Sequence, residues 1–323
     1  YTGPMIDEAL AALRAWGAEG VPVALATVTS VVGSAPREPG AKLAVAADGR
    51  IAGSVSGGCV EGDVIEAALE VVSSGSPQLR HYGISDAMAL RVGLLCGGEI
   101  DVFVEAVEGR AAETLAQVVD AVEQQIPVAR VIDFQRGSVD VLTGDAAPAA
   151  GDSRATTTGF VDVVLPAPRL WVVGAGHVAE HLVALAERAG FAPMVVDPRR
   201  LFADQPRFSG VEVLATWPDR AFAEHGLRPT DFVVVLSHDP KIDEPALCAA
   251  LSADVAYVGA IGSRRAQADR ADRLARAGIG RERLALLHAP IGLDLGGRAP
   301  AEIAVAIVAE LVSVRYGGSA RRQ

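Results

Sequence analysis

The chain has 323 residues, which predicts two domains because one domain commonly spans about 100–200 residues. Half of its residues are hydrophobic, aromatic residues are few and the net charge at pH 7 is −11, a profile typical of a soluble α/β protein and unfavourable for a nucleic-acid partner, since an acidic chain repels polyphosphate. No apolar run is long enough to cross a bilayer, and the opening YTGPMIDEAL lacks a basic-then-apolar secretory pattern, so we expect a cytoplasmic protein with no membrane partner.

The first part of the chain is predicted to be a mixed α+β domain. Residues Met5–Trp16 have apolar side chains at helical spacing, and the β-branched VPVALATVTSVVG follows as a strand. Asp48-Gly49 between two apolar stretches predicts a hairpin. A helix is predicted from about Val60 to Val72, and Gly75 is expected to end it. Two strands, a helix and a second hairpin follow, namely QLRHYG, EIDVFVEAVE, AAETLAQVVDAVEQQ and PVARVIDFQRGSVDVLTG.

The sequence pattern then changes, and short β-rich runs alternate with helical segments. The β-rich runs are RLWVVGAG, FAPMVVD, DFVVVLSHD and VAYVGAIGS. This alternation predicts a Rossmann-type doubly wound parallel sheet. The small, polar segment TGDAAPAAGDSRATTTG predicts a loop between the halves. We therefore expect a first domain over residues 1–145, a linker and connecting strand over 146–168, and the parallel-sheet domain over 169–323.

A dinucleotide fingerprint opens the second half. LWVVGAGHVA matches G-x-G-x-x-A through Gly174, Gly176 and Ala179, after an apolar strand and before a helix. Glycines at such a turn let the backbone approach a pyrophosphate, and the helix N-terminus meets its charge. Asp197 ends the next predicted strand, where a carboxylate accepts hydrogen bonds from a ribose hydroxyl. NAD or NADP is therefore a candidate cofactor.

The fingerprint leaves two questions open. Arg199 and Arg200 follow the aspartate directly and could accommodate a 2′-phosphate, so the sequence does not separate NAD from NADP. A Rossmann-type sheet can also persist without a tightly held dinucleotide, since a fold does not imply a function.

Two cysteines lie beside paired glycines. Cys59 follows two glycines and precedes a predicted helix in SVSGGCVEGD, and Cys96 precedes two glycines in VGLLCGGEIDVFVE. A helix N-terminus stabilises a thiolate and attracts phosphate. The alternative is that cysteine fills a small buried site. The two thiols lack C-x-x-C spacing, which disfavours structural zinc, and Cys248 on an alanine-rich helix is expected to be a packed core thiol.

GSAPREPGAKLAV adds two cations, Arg37 and Lys42, within a predicted Pro/Gly loop. They could clamp a phosphate or pyrophosphate close to the Cys59 turn, or they could belong to a solvated surface loop. Composition does not decide between these interpretations.

These segments together resemble the XdhC/CoxF family of maturation factors, which handle molybdenum cofactor for xanthine dehydrogenase and carbon monoxide dehydrogenase. The matching stretches occur in the family's order from about Val31 to Leu311: GSAPREPGAKLAV, GSVSGGCVE, GLLCGGEIDVFVE, VVGAGHVA, VVDPR, YVGAIGSRR and PIGLDLGGRAPAEIAVAIVAEL.

The resemblance implies an N-terminal cofactor-handling domain and a C-terminal Rossmann domain, in a protein that is often a homodimer. Such proteins bind molybdenum cofactor, protect it while a cysteine desulfurase supplies its terminal sulfido ligand, and deliver it to a xanthine dehydrogenase-type molybdoenzyme. The thiols would face the molybdenum as ligands or sulfur acceptors, because soft thiolates suit a soft metal centre, and Arg37 with glycine N–H groups would meet the pterin phosphate. The residues implied are Gly57, Gly58, Cys59, Arg37, Lys42, Cys96, Gly97 and Gly98.

Two further segments of the second half carry polar groups. LSHDPKID places Ser237, His238, Asp239 and Asp243 after a predicted strand, at the carboxyl edge where parallel sheets bind ligands. His238 and Asp239 are candidates for a nucleotide-binding or acid–base role, or His238 simply bonds a loop carbonyl. PIGLDLGGRAP, with Gly296, Gly297 and Arg298 before a helix from about Pro300, is a second candidate anion cradle.

Three functions are compatible with these features. The first is a maturation factor without turnover of its own. The second is an NAD(P)-linked oxidoreductase or oxidoreductase subunit that uses the Rossmann domain, although iron–sulfur cysteine spacing is absent from the sequence. The third is a structural adaptor in which both candidate sites are no longer functional.

Overall fold

The computed structural model describes residues 7–83, 98–148, 153–203 and 206–318. The chain divides into two compact units, with the division between Pro166 and Ala167. None of the helices in the described ranges combines the length and the apolar character that a membrane crossing requires.

The N-terminal unit is built from antiparallel sheets and three helices within its described residues. Its elements in chain order are α1 (Glu8–Ala18), β1 (Val23–Val32), β2 (Lys42–Ala46), β3 (Ile51–Gly53), α2 (Glu61–Ser74), β4 (Gln78–Tyr82), β5 (Glu99–Ala106), α3 (Gly109–Glu123), β6 (Val128–Asp133), β7 (Ser138–Thr143), β8 (Arg154–Ala155) and β9 (Gly159–Val164). The described residues form one sheet of order β3-β2-β1-β5-β4 and a second of order β7-β6-β9-β8.

Local signals explain where several of these elements begin and end. Helix α1 starts at Glu8 because the Asp7 carboxylate accepts from the first free backbone N–H groups. The hairpin predicted at Asp48-Gly49 joins β2 and β3, and Gly49 adopts the left-handed conformation that this turn requires. Gly75 ends α2 in the left-handed conformation as predicted. The second predicted hairpin is confirmed as β6 and β7.

The segment predicted as a polar loop contains regular structure. Strand β8 lies within it and pairs with β9, which in turn pairs with β6. A two-residue strand is too short to show an alternating pattern, so no periodicity indicated it. Residues up to Val164 therefore belong to the second sheet of the N-terminal unit.

A network of four buried charges joins the two sheets of this unit. Lys42 on β2 pairs with Asp162 on β9 at 2.8 Å, and Arg130 on β6 lies 3.4 Å from the same carboxylate. Arg130 also pairs with Glu105 on β5. All four residues are 5% exposed or less, so two cations and two anions neutralise each other away from water.

The C-terminal unit is an open parallel sheet with helices on both faces, which confirms the predicted doubly wound fold. Its elements are β10 (Arg169–Val173), α4 (His177–Arg188), β11 (Ala192–Val196), α5 (Arg200–Ala203), β12 (Glu212–Leu214), α6 (Pro218–His225), β13 (Phe232–Val235), α7 (Pro240–Ser252), β14 (Tyr257–Ala260), α8 (Arg264–Arg276), α9 (Arg281–Leu284), β15 (Leu287–His288) and α10 (Pro300–Arg315). The strand order in the described residues is β12-β11-β10-β13-β14-β15.

The central strands of this sheet are buried on both faces, which is why their sequences are continuous apolar runs. Helices α4 and α10 cover one face around Leu170 and Val172. Helices α6 and α7 cover the other face around Trp171 and Val173. The six strands of this sheet run parallel, so their carboxyl ends meet at one edge.

Candidate functional site

One end of the five-stranded sheet gathers the glycine-rich segments of the N-terminal unit. Strand β1 ends at Val32, opposite Glu99 at the start of β5, and Gly53 at the end of β3 pairs with Leu43 near the start of β2. Neighbouring antiparallel strands run in opposite directions. The loops 33–41 and 54–60 and residue 98 therefore lie at the same end of the sheet.

Gly98 packs directly on the loop that follows β1. A Cβ atom at this position would lie 2.4 Å from the Ser34 carbonyl oxygen and 3.0 Å from that of Val32. Only glycine allows this approach of two backbones. Cys96 and Gly97, which the sequence groups with Gly98, lie outside the described residues.

The carboxylate of Glu61 lies at the centre of the Gly57-Gly58 turn. It accepts hydrogen bonds from the Ser54 hydroxyl at 2.7 Å, the Ser56 backbone N–H at 2.9 Å and the Gly58 N–H at 2.8 Å, and the Ser56 hydroxyl also donates to it. Burial opposes ionisation, but the hydrogen bonds from Ser56 and Ser54 outweigh it and lower the pKa of Glu61 to about 2. The turn therefore forms around an ionised internal carboxylate.

The other N–H groups of the turn also have partners inside the protein. Gly57 N–H donates to the Ser54 hydroxyl at 2.9 Å. The N–H groups of Cys59 and Val60 donate to the Ser56 hydroxyl at 3.0 and 2.9 Å. The N–H groups of residues 57–60, which lead into α2, are thus satisfied inside the protein.

This geometry corrects the role expected for the paired glycines. Phosphate contacts from the N–H groups of Gly57 and Gly58 do not fit, because internal acceptors occupy the donors and the charge of Glu61 repels an anion there. The glycines instead have a conformational role, since their φ angles of 73° and 112° lie in the left-handed region.

Cys59 lies half-buried at the end of this turn. It packs against a hydrophobic cluster that includes Val55, Val60 and Val64. No hydrogen bond to its sulfur involves another described residue, so the thiol is the uncommitted group that the turn presents. Cys248 on α7 is also half-buried, and burial raises the pKa of its thiol.

Arg37 and Lys42 lie in different environments. Arg37 is exposed, and its Nε donates to the Ser54 carbonyl at 3.2 Å, which ties the loop after β1 to the glycine turn. The prediction that Lys42 lies in a loop is wrong. Lys42 begins β2 and is 5% exposed, and its charge is neutralised by Asp162. Arg37 therefore remains a candidate phosphate ligand, and Lys42 is a structural residue.

A second candidate site lies at the carboxyl edge of the parallel sheet. A cavity of about 490 Å³ opens there, lined by residues that include Gly174, Gly176, Arg199, Ser237 and His238. These residues follow β10, β11 and β13, the strands at which the chain changes direction across the sheet. Open parallel sheets bind ligands at such switch points.

The glycines of the fingerprint have distinct roles in this cavity. Gly174 has a φ of 102°, and a Cβ atom there would lie 2.8 Å from the Ser237 backbone nitrogen, so no larger residue fits. Gly176 precedes α4 and has open space where a Cβ would lie. Ala179 is buried inside the unit. The turn is therefore closely packed at Gly174 and open at Gly176, and dinucleotide binding there stays a prediction.

The carboxylate of Asp197 is engaged inside the protein. It accepts from the Ala175 N–H at 2.9 Å, from the Arg199 N–H and Nε at 2.9 Å each, and from Arg199 Nη2 at 2.7 Å. Burial opposes ionisation, but the hydrogen bonds from Arg199 outweigh it and lower the pKa of Asp197. The expected contact between Asp197 and a ribose hydroxyl does not fit this conformation, because both carboxylate oxygens already have donors.

The first residues of LSHDPKID, from Leu236 to Pro240, line the same cavity. His238 is exposed at its rim, and Asp239 caps α7 by accepting from the Lys241 N–H. Asp243 is 3% exposed and pairs with Arg270 at 3.2 Å. Burial raises the pKa of Asp243 to about 6 against the opposing effect of Arg270. The pairing of Asp243 with Arg270 was not predicted from the sequence, because the two residues are 27 positions apart and no local pattern links them.

The turn before α10 is also filled by a carboxylate. Glu302 accepts from the N–H groups of Arg298 and Ala299 at 2.9 Å each, and a Cβ at Gly297 would lie 2.6 Å from the Glu302 Cβ. Glu302 thus occupies two of the N–H groups of this turn, while a cavity of about 280 Å³ lined by Gly296, Gly297 and Arg298 lies beside it, so the anion cradle stays a prediction. A glutamate three residues after the N-cap is half of a capping box, a signal that could have predicted the hydrogen bonds of Glu302.

Across the described ranges, no three His, Cys, Asp or Glu side chains are grouped so that they could hold a metal ion.

Comparison with known proteins links both units to one family. Residues 16–83 match the XdhC and CoxI family, and residues 170–311 match the XdhC Rossmann domain. A curated relative from Bacillus subtilis, named as a probable xanthine dehydrogenase subunit, is 29% identical over 90% of this chain and 92% of its own length. The Escherichia coli "Molybdenum cofactor insertion chaperone PaoD" is 30% identical over 90% of this chain and 83% of its own length.

A solved structure has the same fold along nearly the whole chain. The crystal structure described as a xanthine dehydrogenase from Bacillus halodurans superposes with a TM-score of 0.81 at 25% identity, and covers 98% of this chain and 97% of that one.

Proposed function

The chain belongs to the XdhC and CoxI family, and from this membership we propose that it binds molybdenum cofactor as cargo and acts in its insertion into a xanthine dehydrogenase-type enzyme. Relatives that carry the names of a molybdenum cofactor insertion chaperone and a xanthine dehydrogenase subunit support this proposal. The family membership is the observation that carries it.

The end of the five-stranded sheet is the cargo site that we propose. The Cys59 thiol lies half-buried in the glycine turn there, and an exposed cation, Arg37, donates to the Ser54 carbonyl at the start of the same turn. A thiolate is a suitable ligand for a soft, sulfur-rich molybdenum centre, and a guanidinium suits a phosphate. We assign the pterin phosphate to Arg37 and not to the glycine N–H groups, because Glu61 already holds the turn.

The finer steps of maturation are part of the same proposal. We propose that the bound cofactor is protected while a cysteine desulfurase supplies its sulfido ligand, with Cys59 as ligand or sulfur acceptor. A homodimer and a cytoplasmic location stay predictions from the sequence. Co-purification with a cysteine desulfurase tests the sulfuration step, and light scattering of the purified protein tests the homodimer.

An anaerobic titration with molybdenum cofactor tests the cargo site. Cys59→Ser should weaken binding at least about tenfold, the factor that about 1.4 kcal/mol represents. Cys248→Ser is the matched control, because that thiol is also half-buried but lies on α7 of the other unit. Arg37→Gln should weaken binding of the phosphate-bearing cofactor with little effect on folding, since Arg37 is exposed.

Equal affinity in the wild type and in Cys59→Ser would remove Cys59 from the site. No binding to any form of the protein, with each form folded by circular dichroism, would contradict the cargo proposal itself. Purine-dependent NAD(P) reduction by the purified chain would favour the oxidoreductase alternative. The engaged carboxylate of Asp197 gives that alternative no support.

A further inference from the structure

A histidine, a glutamate and a tyrosine from three distant parts of the C-terminal unit form one hydrogen-bonded cluster. His288 Nδ1 lies 2.9 Å from Glu310 Oε1, and the Tyr257 hydroxyl donates to Glu310 Oε2 at 2.7 Å. The Gly292 N–H donates to the same oxygen at 2.6 Å. The rings of Tyr257 and His288 also pack with their centroids 4.5 Å apart. The cluster joins β14, β15 and α10.

The hydrogen bonds fix which nitrogen of His288 carries the proton. Burial opposes ionisation of Glu310, but the hydrogen bonds from His288 and Tyr257 outweigh it and lower the pKa of Glu310. Burial also raises the pKa of Tyr257, so its hydroxyl stays a donor. An ionised carboxylate only accepts hydrogen bonds. Nδ1 therefore donates to Glu310, and in the neutral ring the lone pair is on Nε2.

His288 is the more accessible residue of the pair that it forms with Glu310. The side chain of His288 is 39% exposed, against 14% for Glu310, and no described residue bonds to Nε2. His288 ends β15 and pairs with Gly259 near the end of β14. It therefore lies at the carboxyl edge of the parallel sheet, on its outermost strand.

Two other histidines of this unit lack this arrangement. His238, which the sequence singled out, is exposed at the cavity rim, and its ring makes no hydrogen bond to a described residue. His177 is 80% exposed and lies 4.0 Å from Glu180, which is too far for a hydrogen bond. A carboxylate at hydrogen-bond distance from one ring nitrogen, with the other nitrogen open, is how proton-accepting histidines are oriented.

We propose that His288 is a proton acceptor for a weakly acidic N–H, O–H or S–H group of a ligand bound at this edge, with Glu310 and Tyr257 as its positioning residues. The ligand proton moves to Nε2 and leaves an anion. The imidazolium keeps its Nδ1–H bond to Glu310, and the proton returns to solvent through the exposed side of the ring. This inference does not depend on the proposed handling of molybdenum cofactor.

Acylation by diethyl pyrocarbonate tests the proposal on the full chain. The lone pair of an unprotonated ring nitrogen attacks the reagent carbonyl and ethyl carbonate leaves, so the rate at each histidine, read by mass spectrometry, reports an available lone pair. His288 should react at least as fast as His177, although it is half as exposed. Glu310→Gln should slow His288 about tenfold, the effect of one hydrogen bond to a charged group, and leave His177 unchanged.

A second measurement reads the tautomer of His288 in the wild-type protein. Nitrogen-15 correlation spectra of the wild type, assigned with His288→Gln, should show a protonated Nδ1 and an unprotonated Nε2 for His288. The opposite tautomer would overturn the proposal. Acylation rates that follow side-chain exposure alone would also overturn it, that is, a rate at His288 that is lower than at His177 and is unaffected by Glu310→Gln. Tyr257→Phe should change the His288 rate by a smaller factor than Glu310→Gln, because it removes a neutral donor to Glu310 and leaves the carboxylate in place.

Discussion

Removal of one buried carboxylate should destabilise the N-terminal unit strongly, and Asp162→Asn is the sharpest such change. Asparagine keeps the shape of the side chain and a carbonyl oxygen that can still accept from Lys42. The substitution therefore removes charge with little loss of packing. It leaves Lys42 and Arg130 with a single carboxylate, that of Glu105, between them.

The magnitude follows from the burial of the network. Its four residues are 5% exposed or less, and the variant carries one uncompensated positive charge in their place. Loss of one partner from a buried ion pair costs about 3–5 kcal/mol. For a unit of this size, 1 kcal/mol shifts the midpoint of thermal unfolding by about 2–4 °C. We therefore expect a fall of about 10 °C.

The assay should follow the N-terminal unit by itself. Hydrogen exchange of peptides from β6 and β9 during thermal unfolding does this. Asp140→Asn is the matched control, because its partner Arg110 is 74% exposed and Asp140 is 63% exposed, and such pairs contribute about 0–1 kcal/mol. Lys42→Met combined with Asp162→Asn restores neutrality and should recover part of the loss. A shift for Asp162→Asn no larger than for Asp140→Asn would refute the reasoning.

Three other predictions concern the glycine turns and their carboxylate. Gly174→Ala should lower stability by about 2–3 kcal/mol, because φ is 102° and the new Cβ meets the Ser237 nitrogen, whereas Gly176→Ala should change it by less than about 0.5 kcal/mol in the same urea titration. Gly176→Leu should narrow the cavity without backbone strain and weaken any binding of NADP by about tenfold or more. Equal dissociation constants for the variant and the wild type, measured by calorimetry, would exclude the cavity as the binding site. The Glu61 pKa of about 2 lies below the ordinary value of 4.5, so its contribution to stability is full above about pH 4.5 and is lost as the pH falls towards 2. The stability gap between the wild type and Glu61→Gln should therefore close over that range, and a constant gap would contradict the assignment.

The elements with a local sequence signal were predicted well. Apolar runs bounded by glycine predicted the parallel strands, and Asp48-Gly49 predicted a hairpin that has the expected left-handed glycine. Gly174 was placed correctly at a turn that only glycine fits. In each case the residues that decide the structure are neighbours in the chain, so their pattern carries the information.

Prediction from the sequence failed where the partner of a charge lies far along the chain. Lys42 and Asp162 are 120 residues apart, so a lysine in a Pro/Gly segment was interpreted as a loop cation. The His288–Glu310 pair had no local pattern either. Arg199 is different, since it lies two residues from Asp197. The sequence suggested Arg199 as a phosphate ligand, and its pairing with the Asp197 carboxylate was not predicted although the two residues are near neighbours.

The carboxylates that fill two glycine turns have a consequence for selectivity among solutes. Glu61 and Glu302 are covalently tethered beside the donors that they occupy, and a tethered group acts at an effective concentration of about millimolar or higher. Free phosphate, nucleotides and other small anions of the cell must compete with that built-in occupant. Only a solute that gains contacts elsewhere, such as with a sulfur atom or a guanidinium, can settle at these turns. The backbone N–H groups that Glu61 and Glu302 occupy are thus less available to the abundant anions around the protein.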